Sequence, residues 1–157
     1  MLCPWAFAWG HSYFLIQCHV AMSLPAGSVP LMADLEGIAH RMGVHVEHRT
    51  SLRRGRWGEY DHRHRTIRLL SGLGPIQYRS TLAHELGHAH HGHRWTSLKH
   101  EDQADTYAAW LLISPAEWTL ATAIYPDCSQ SVAQELGVLP RLVEVYAGTI
   151  APVISTS

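Results

Sequence analysis

Two histidines four residues apart, with a glutamate directly after the first, stand in Thr81-Leu82-Ala83-His84-Glu85-Leu86-Gly87-His88. This is the HExxH pattern of zinc proteases. On a helix of 3.6 residues per turn, His84 and His88 lie about 40° apart on one face, so both rings can reach a single ion at roughly 2.0–2.1 Å. Glu85 lies about 100° round from His84 and flanks that face instead of sharing it. It is therefore placed beside the ion's open position, where a general base acts, and not on the ion. The same pattern also arises in ordinary helices whose histidines are merely solvated, so the assignment turns on a third ligand.

A catalytic zinc takes three protein ligands and keeps a fourth position open. The HExxHxxGxxH arrangement would need a glycine three residues after His88 and a histidine six after it, but His91 and Arg94 occupy those places. The other architecture draws an acidic residue from a following helix, and Glu101-Asp102-Gln103-Ala104-Asp105 offers Glu101 and Asp105 one turn apart. In that ExxxD arrangement Glu101 binds the metal, and Asp105 accepts the second ring N–H of a ligand histidine, fixing its tautomer and orientation. The bland alternative is a solvated acidic helix start, which also suits the helix dipole.

The elements that must position these groups are legible from periodicity. Leu35, Ile38, Ala39 and Met42 recur at helical spacing before the stop signal Gly43. Residues 44–48, 56–60 and 66–70 read as three strands separated by turns at Arg54-Gly55 and at residues 61–64. The expectation is an α+β domain: a short, mostly antiparallel sheet packed on an HExxH helix and a following Glu-bearing helix, with a helical C-terminal part. Pro75 suits a first helical position, so the metal helix should run over residues 75–91 with Ile76, Leu82, Leu86 and Ala89 toward the core. A polar linker over residues 92–99 leads to a second helix over residues 100–113, and Ser114-Pro115-Ala116-Glu117 stops it and caps another. Residues 131–143 read as two short helices about a Gly-Val turn, like half of a helix-turn-helix. They lack a basic recognition face, which favours a packing scaffold over direct DNA binding.

Composition agrees with a globular protein. The chain has 157 residues, enough for one domain with a core, and a formal net charge of -1, which gives no global electrostatic case for nucleic acid or an acidic membrane. Six of its 13 histidines fall between His84 and His100, which raises metal chemistry on its own. Cys3, Cys18 and Cys128 imply no disulfide framework, so the cytoplasm is the expected compartment. Residues 1–31 contain no Lys, Arg, Asp or Glu. They lack the basic start and clean apolar run of a signal peptide, and Pro4 and Gly10 break any membrane helix. The reading is an extension outside the fold, with Met22 or Met32 as the expected start.

The blocks Arg79-Ser80-Thr81-Leu82-Ala83-His84-Glu85-Leu86-Gly87-His88 and Glu101-Asp102-Gln103-Ala104-Asp105-Thr106-Tyr107-Ala108-Ala109-Trp110-Leu111-Leu112 resemble those of the ImmA/IrrE family of small metallopeptidases. That family pairs a TLAHELGH-like helix with a later E-x-x-A-[ND]-x-F-A-A-x-L-L-M-P. Here Tyr107 replaces the usual Phe, and Ile113-Ser114-Pro115 replaces Met-Pro. The resemblance covers residues 32–150 as the metallopeptidase domain and leaves residues 151–157 as a tail. It implies a gluzincin-like α+β fold with one Zn2+ on His84, His88 and Glu101, Glu85 as the catalytic residue, and Asp105 behind a ligand. It further implies peptide-bond hydrolysis in a protein substrate, a DNA-binding transcriptional repressor of a phage or mobile element.

A donor for the tetrahedral oxyanion is also required, and His100, Tyr60, His91 and Arg79 are the candidates, each with a plain reading as a surface or packing residue. His90, His91 and His93 read as solvated cations more readily than as a second metal site, and Trp95 and Trp110 as packing residues more readily than as groove walls. Two rival classes stand beside the protease. One is a regulatory protein with a metal-bound fold that acts by binding a repressor, against which the intact Glu85 argues. The other is a DNA-binding module with structural zinc, against which the absence of cysteine near the histidines argues.

Overall fold

The structure, a computed structural model, describes residues 34–154. The extension expected over residues 1–31 lies outside them. Helix α1 (Leu35–Arg41) begins at Asp34, whose carboxylate accepts from the Gly37 N–H at 2.8 Å, and gives way to Gly43 in the left-handed region at φ 66°. Strands β1 (His45–Arg49), β2 (Gly58–Asp61) and β3 (Thr66–Leu70) follow, with one 3-10 turn at Arg53–Gly55. Helices α2 (Pro75–His91), α3 (Leu98–Leu112), α4 (Pro115–Ile124), α5 (Ser129–Glu135) and α6 (Pro140–Ile154) complete the domain. Helix α6 runs well beyond the expected short helix and into the stretch read as a tail.

The two site helices start and stop where their end residues dictate. Pro75 opens α2, and the Gln77 side chain accepts from the Gly74 N–H at 3.2 Å. Gly92, at φ 65°, ends it. Ser97 caps α3 by accepting from the His100 N–H at 3.2 Å, which starts that helix two residues earlier than its apolar pattern suggests. Ser114 caps α4 through the Glu117 N–H, with Pro115 as the first helical residue, as expected.

The sheet is mixed and not mostly antiparallel. Strand order is β1-β3-β2, with β1 and β3 parallel and β2 and β3 antiparallel. The chain runs up, down and up, but the last strand inserts between the first two. Burial explains the choice: Ile67 and Leu69 are fully buried, so β3 takes the centre, while the more polar β1 and β2 accept the edges. Alternation within a strand reports which faces are buried and not the order of strands, which is why this feature escaped the sequence.

Leu82 and Leu86 of α2 pack into a core with Ile67, Leu69, Ala108, Leu112, Leu142 and Tyr146. Ile76, expected to face inward, stays 36% exposed near the helix start. From Ser80 to Ala89 every residue of α2 is buried, because β2, β3 and α3 enclose it. Such a helix has no solvated face, so its polar residues occupy the interior. The closest approach is at Gly87, where an added Cβ would lie 2.8 Å from the Ala104 Cα and 2.8 Å from its carbonyl oxygen. Only glycine lets α2 and α3 lie this close. Replacement by alanine improves helix propensity by about 1 kcal/mol but drives carbon into backbone, an overpacking cost of roughly 1–3 kcal/mol. Gly87→Ala is accordingly expected to lower the thermal midpoint, and a variant that melts at or above the parent temperature would show that the helices are free to separate.

Candidate metal centre

The two helices held together at Gly87 bring His84 and His88 from α2 against Glu101 from the first turns of α3. The Nε2 atoms of His84 and His88 are 3.0 Å apart. Glu101 Oε2 lies 3.5 Å from His84 Nε2, and Oε1 lies 3.4 Å from His88 Nε2. All three side chains are buried, and among the described residues they form the one cluster of this kind that could hold a metal ion. A tetrahedral ion with bonds of 2.0–2.1 Å has ligand atoms roughly 3.3 Å apart, so the three groups already stand at the edges of such a site.

Behind His84 a carboxylate fixes the ring. His84 Nδ1 is 2.9 Å from Asp105 Oδ1, and Arg141 Nε donates to Asp105 Oδ2 at 2.6 Å. Asp105 is fully buried, so its charge is held between the imidazole and the guanidinium. Glu101 thus meets the two histidine rings on one side, and Asp105 stands behind the His84 ring on the other. Sequence reading missed Arg141, which reaches in from the start of α6, 36 residues downstream and with no motif to mark it. Behind His88 the neighbour is another imidazole: His88 Nδ1 is 2.9 Å from His93 Nδ1. His93 is buried and not the solvated cation expected of it, whereas His90 and His91 are exposed.

Burial resists charge on His84, yet hydrogen bonds to Asp105 and Glu101 outweigh it and raise its pKa to about 10. Glu101 moves the opposite way: burial pushes its pKa up, but the bonds from His84 and His88 bring it well below the usual carboxylate range. Glu85 is raised, chiefly by burial, with the two histidines opposing. A carboxyl with a raised pKa beside two imidazoles is suited to take and return a proton at neutral pH.

A comparison with protein families matches residues 39–145 to the peptidase M78 family, described as the IrrE N-terminal-like domain. The chain belongs to this metallopeptidase family. Comparisons with curated proteins and with solved structures returned no match. The M78 match spans α2, α3 and the sheet, and so includes every residue of the cluster.

The cluster opens onto a cavity of about 130 Å³ between α2 and β2. Its walls include Arg56, Tyr60, Thr81, Glu85, Arg94 and Trp95. Strand β2 presses on Glu85, since a Cβ on Gly58 would lie 2.9 Å from Glu85 Oε1. Of the four oxyanion candidates, only Tyr60 lines this cavity, and its buried hydroxyl has no hydrogen-bond partner among the described residues. Arg79 instead ties the carbonyls of Leu112, Leu136 and Gly137. His100 Nδ1 bonds the Trp95 carbonyl, and His91 lines a separate groove beyond α3. Trp95 is 68% exposed on the cavity rim and Trp110 half-exposed against Tyr146, so neither is the core residue expected. Among the described residues no helix is long and apolar enough to cross a membrane.

These geometries give two expectations. The raised His84 pKa stabilises the metal-free fold fully below pH 6.5, and that contribution is lost as pH rises toward about 10. A divalent ion must displace the same proton, so metal affinity runs the other way and should climb by about tenfold per pH unit between pH 6.5 and 8.5. Chelator competition measures it, and a flat profile would mean that His84 is neutral in the free site. Separately, Glu101→Ala should weaken metal binding more than Asp105→Ala. The reverse order would exchange their roles.

Proposed function

We propose that the protein is a zinc-dependent endopeptidase that hydrolyses a peptide bond in a protein substrate, a DNA-binding repressor of a phage or mobile element. One observation carries the reading: a buried His84, His88 and Glu101 set lies beside the unspent carboxylate of Glu85, in a cleft walled by the edge strand β2. Two imidazoles with one carboxylate and no thiolate is the donor set of catalytic zinc, while structural zinc sites are mostly closed by cysteine.

Zinc on these residues would supply Lewis-acid polarisation of a carbonyl and lower the pKa of water from 15.7 to about 7. The protein's own groups do the rest. Strand β2 has one edge unpaired within the sheet, and Gly58, Glu59 and Tyr60 line the cleft, so an extended peptide can lie along it as an added strand. Such a mode selects unfolded or loop segments of a protein over compact surfaces. Glu85 accepts the proton of the attacking water and passes it to the leaving amine, a role worth about 10²–10⁴ in rate. The free Tyr60 hydroxyl donates to the oxyanion as charge develops. Asp105 keeps the His84 ring oriented throughout, with Arg141 holding Asp105 in place.

Glu85→Gln retains size and hydrogen-bonding capacity but cannot accept the proton. The variant should keep its fold and its zinc while cleavage of a co-expressed repressor falls by about two to four orders of magnitude. Repressor length on a gel reports the result. If the variant relieves repression as well as the parent and no fragment forms with either, the protein acts by binding and the peptidase reading is wrong.

A further inference from the structure

The second ring nitrogen of a metal-binding histidine is ordinarily held by a carboxylate, a carbonyl or water. His84 follows that rule through Asp105. His88 does not, since its Nδ1 faces the Nδ1 of His93 at 2.9 Å. We propose that His93, oriented by Gln103, is a positioning residue that sets the tautomer of His88 and leaves its Nε2 free for the metal. The proposal rests on the reading of His84, His88 and Glu101 as a metal centre.

The number of protons available fixes the tautomers. Two ring nitrogens that face each other at this distance must share a single proton, because two protons would collide and none would leave two lone pairs opposed. Gln103 decides which ring carries it. His93 Nε2 lies 3.2 Å from Gln103 Oε1, an oxygen that can only accept, so His93 bears its proton on Nε2. A neutral His93 then has a bare Nδ1 that accepts from His88 Nδ1–H, and the remaining nitrogen of His88, Nε2, is left with its lone pair toward His84 and Glu101. Turning the Gln103 amide over reverses every link. The proton would then sit on His88 Nε2, where the ion must bind.

The backbone brings His93 over His88. Gly92 in the left-handed region ends α2 with two bonds, His93 N–H to the His88 carbonyl at 3.0 Å and Gly92 N–H to the Ala89 carbonyl at 3.2 Å. This is the Schellman stop, in which the residue after the glycine folds back over the residue five positions before it, usually to make an apolar contact. Here the contact joins two imidazoles. The His93 ring is further clamped by stacking on His100, with centroids 4.1 Å apart and planes within 14°. Gln103 stands on α3 midway between Glu101 and Asp105, so one helix carries Glu101, the carboxylate behind His84 and the amide that orients His93.

The test is made on the full chain loaded with Zn2+, with ring tautomers read from two-bond 1H–15N correlations and affinity from chelator competition. His88 should carry its proton on Nδ1 and His93 on Nε2. His93→Phe keeps the ring and its stacking but not the acceptor, and should weaken Zn2+ binding by about 10–100-fold. Gln103→Met should give His93 a mixture of tautomers with a smaller loss, whereas Gln103→Glu, which can only accept, should restore the parent behaviour. A purely structural role for Gln103 would not separate Met from Glu in this way. A proton on His93 Nδ1 in the loaded parent, or parent affinity in the Phe variant, overturns the proposal while the metal centre stands. Should the Phe variant fail to fold, the parent tautomers alone decide. No uptake of Zn2+ by the parent overturns the centre and the proposal together.

Discussion

Five ionisable side chains, His84, Glu85, His88, Glu101 and Asp105, are buried within three turns of two adjacent helices. Isolated charges in such surroundings would destabilise a small domain by more than its core could offset, so each must be answered by another. Asp105 is answered by His84 and Arg141, and Glu101 by both histidines. What remains is a site whose two imidazoles and one carboxylate point at a common centre. A divalent cation there would satisfy all three at once, and the packing of α2 against α3 is what brings them together.

The fold supplies the closeness that this arrangement needs. Gly87 lets α3 lie against α2, and the short connection over residues 92–97 returns the chain in time for Glu101 to meet His84 and His88 from the side. Strand β3 occupies the centre of the sheet, which leaves β2 at the edge, over Glu85 and with no strand paired to its outer side among the described residues. The open wall of the cleft is thus a consequence of which strand is most apolar. Arg79 and Arg141 link the C-terminal helices to this unit, one through carbonyls at helix ends and the other through Asp105. The helix pair that resembled half of a DNA reader therefore serves as a brace for the site.

Much of this was legible in the sequence because the helical repeat alone puts His84 and His88 on one face, and Glu101 and Asp105 on another. The limits of α2 were equally plain, being set by Pro75 and Gly92, whose backbone requirements are local. Strand order was not legible: alternation marks the faces of a strand and is silent on its neighbours, so the insertion of β3 between β1 and β2 followed from relative burial. Arg141 and Gln103 were invisible for a related reason, since single polar residues on amphipathic helices carry no mark of the partner they will meet. His93 lay between these cases. Gly92 is a local stop signal that folds His93 over His88, but in sequence His93 is one of a run of histidines at a helix end with nothing to single it out.

The central claim is a single ion held by one nitrogen each of His84 and His88 and by a Glu101 oxygen. Anomalous diffraction from crystals of the zinc-loaded protein at the zinc edge tests this most directly. A single strong peak is expected roughly 2.0–2.1 Å from His84 Nε2, His88 Nε2 and Glu101, with Glu85 beside it and unbound. A peak among His90, His91, His93 and His100, or a zinc ligated by Glu85, would contradict it.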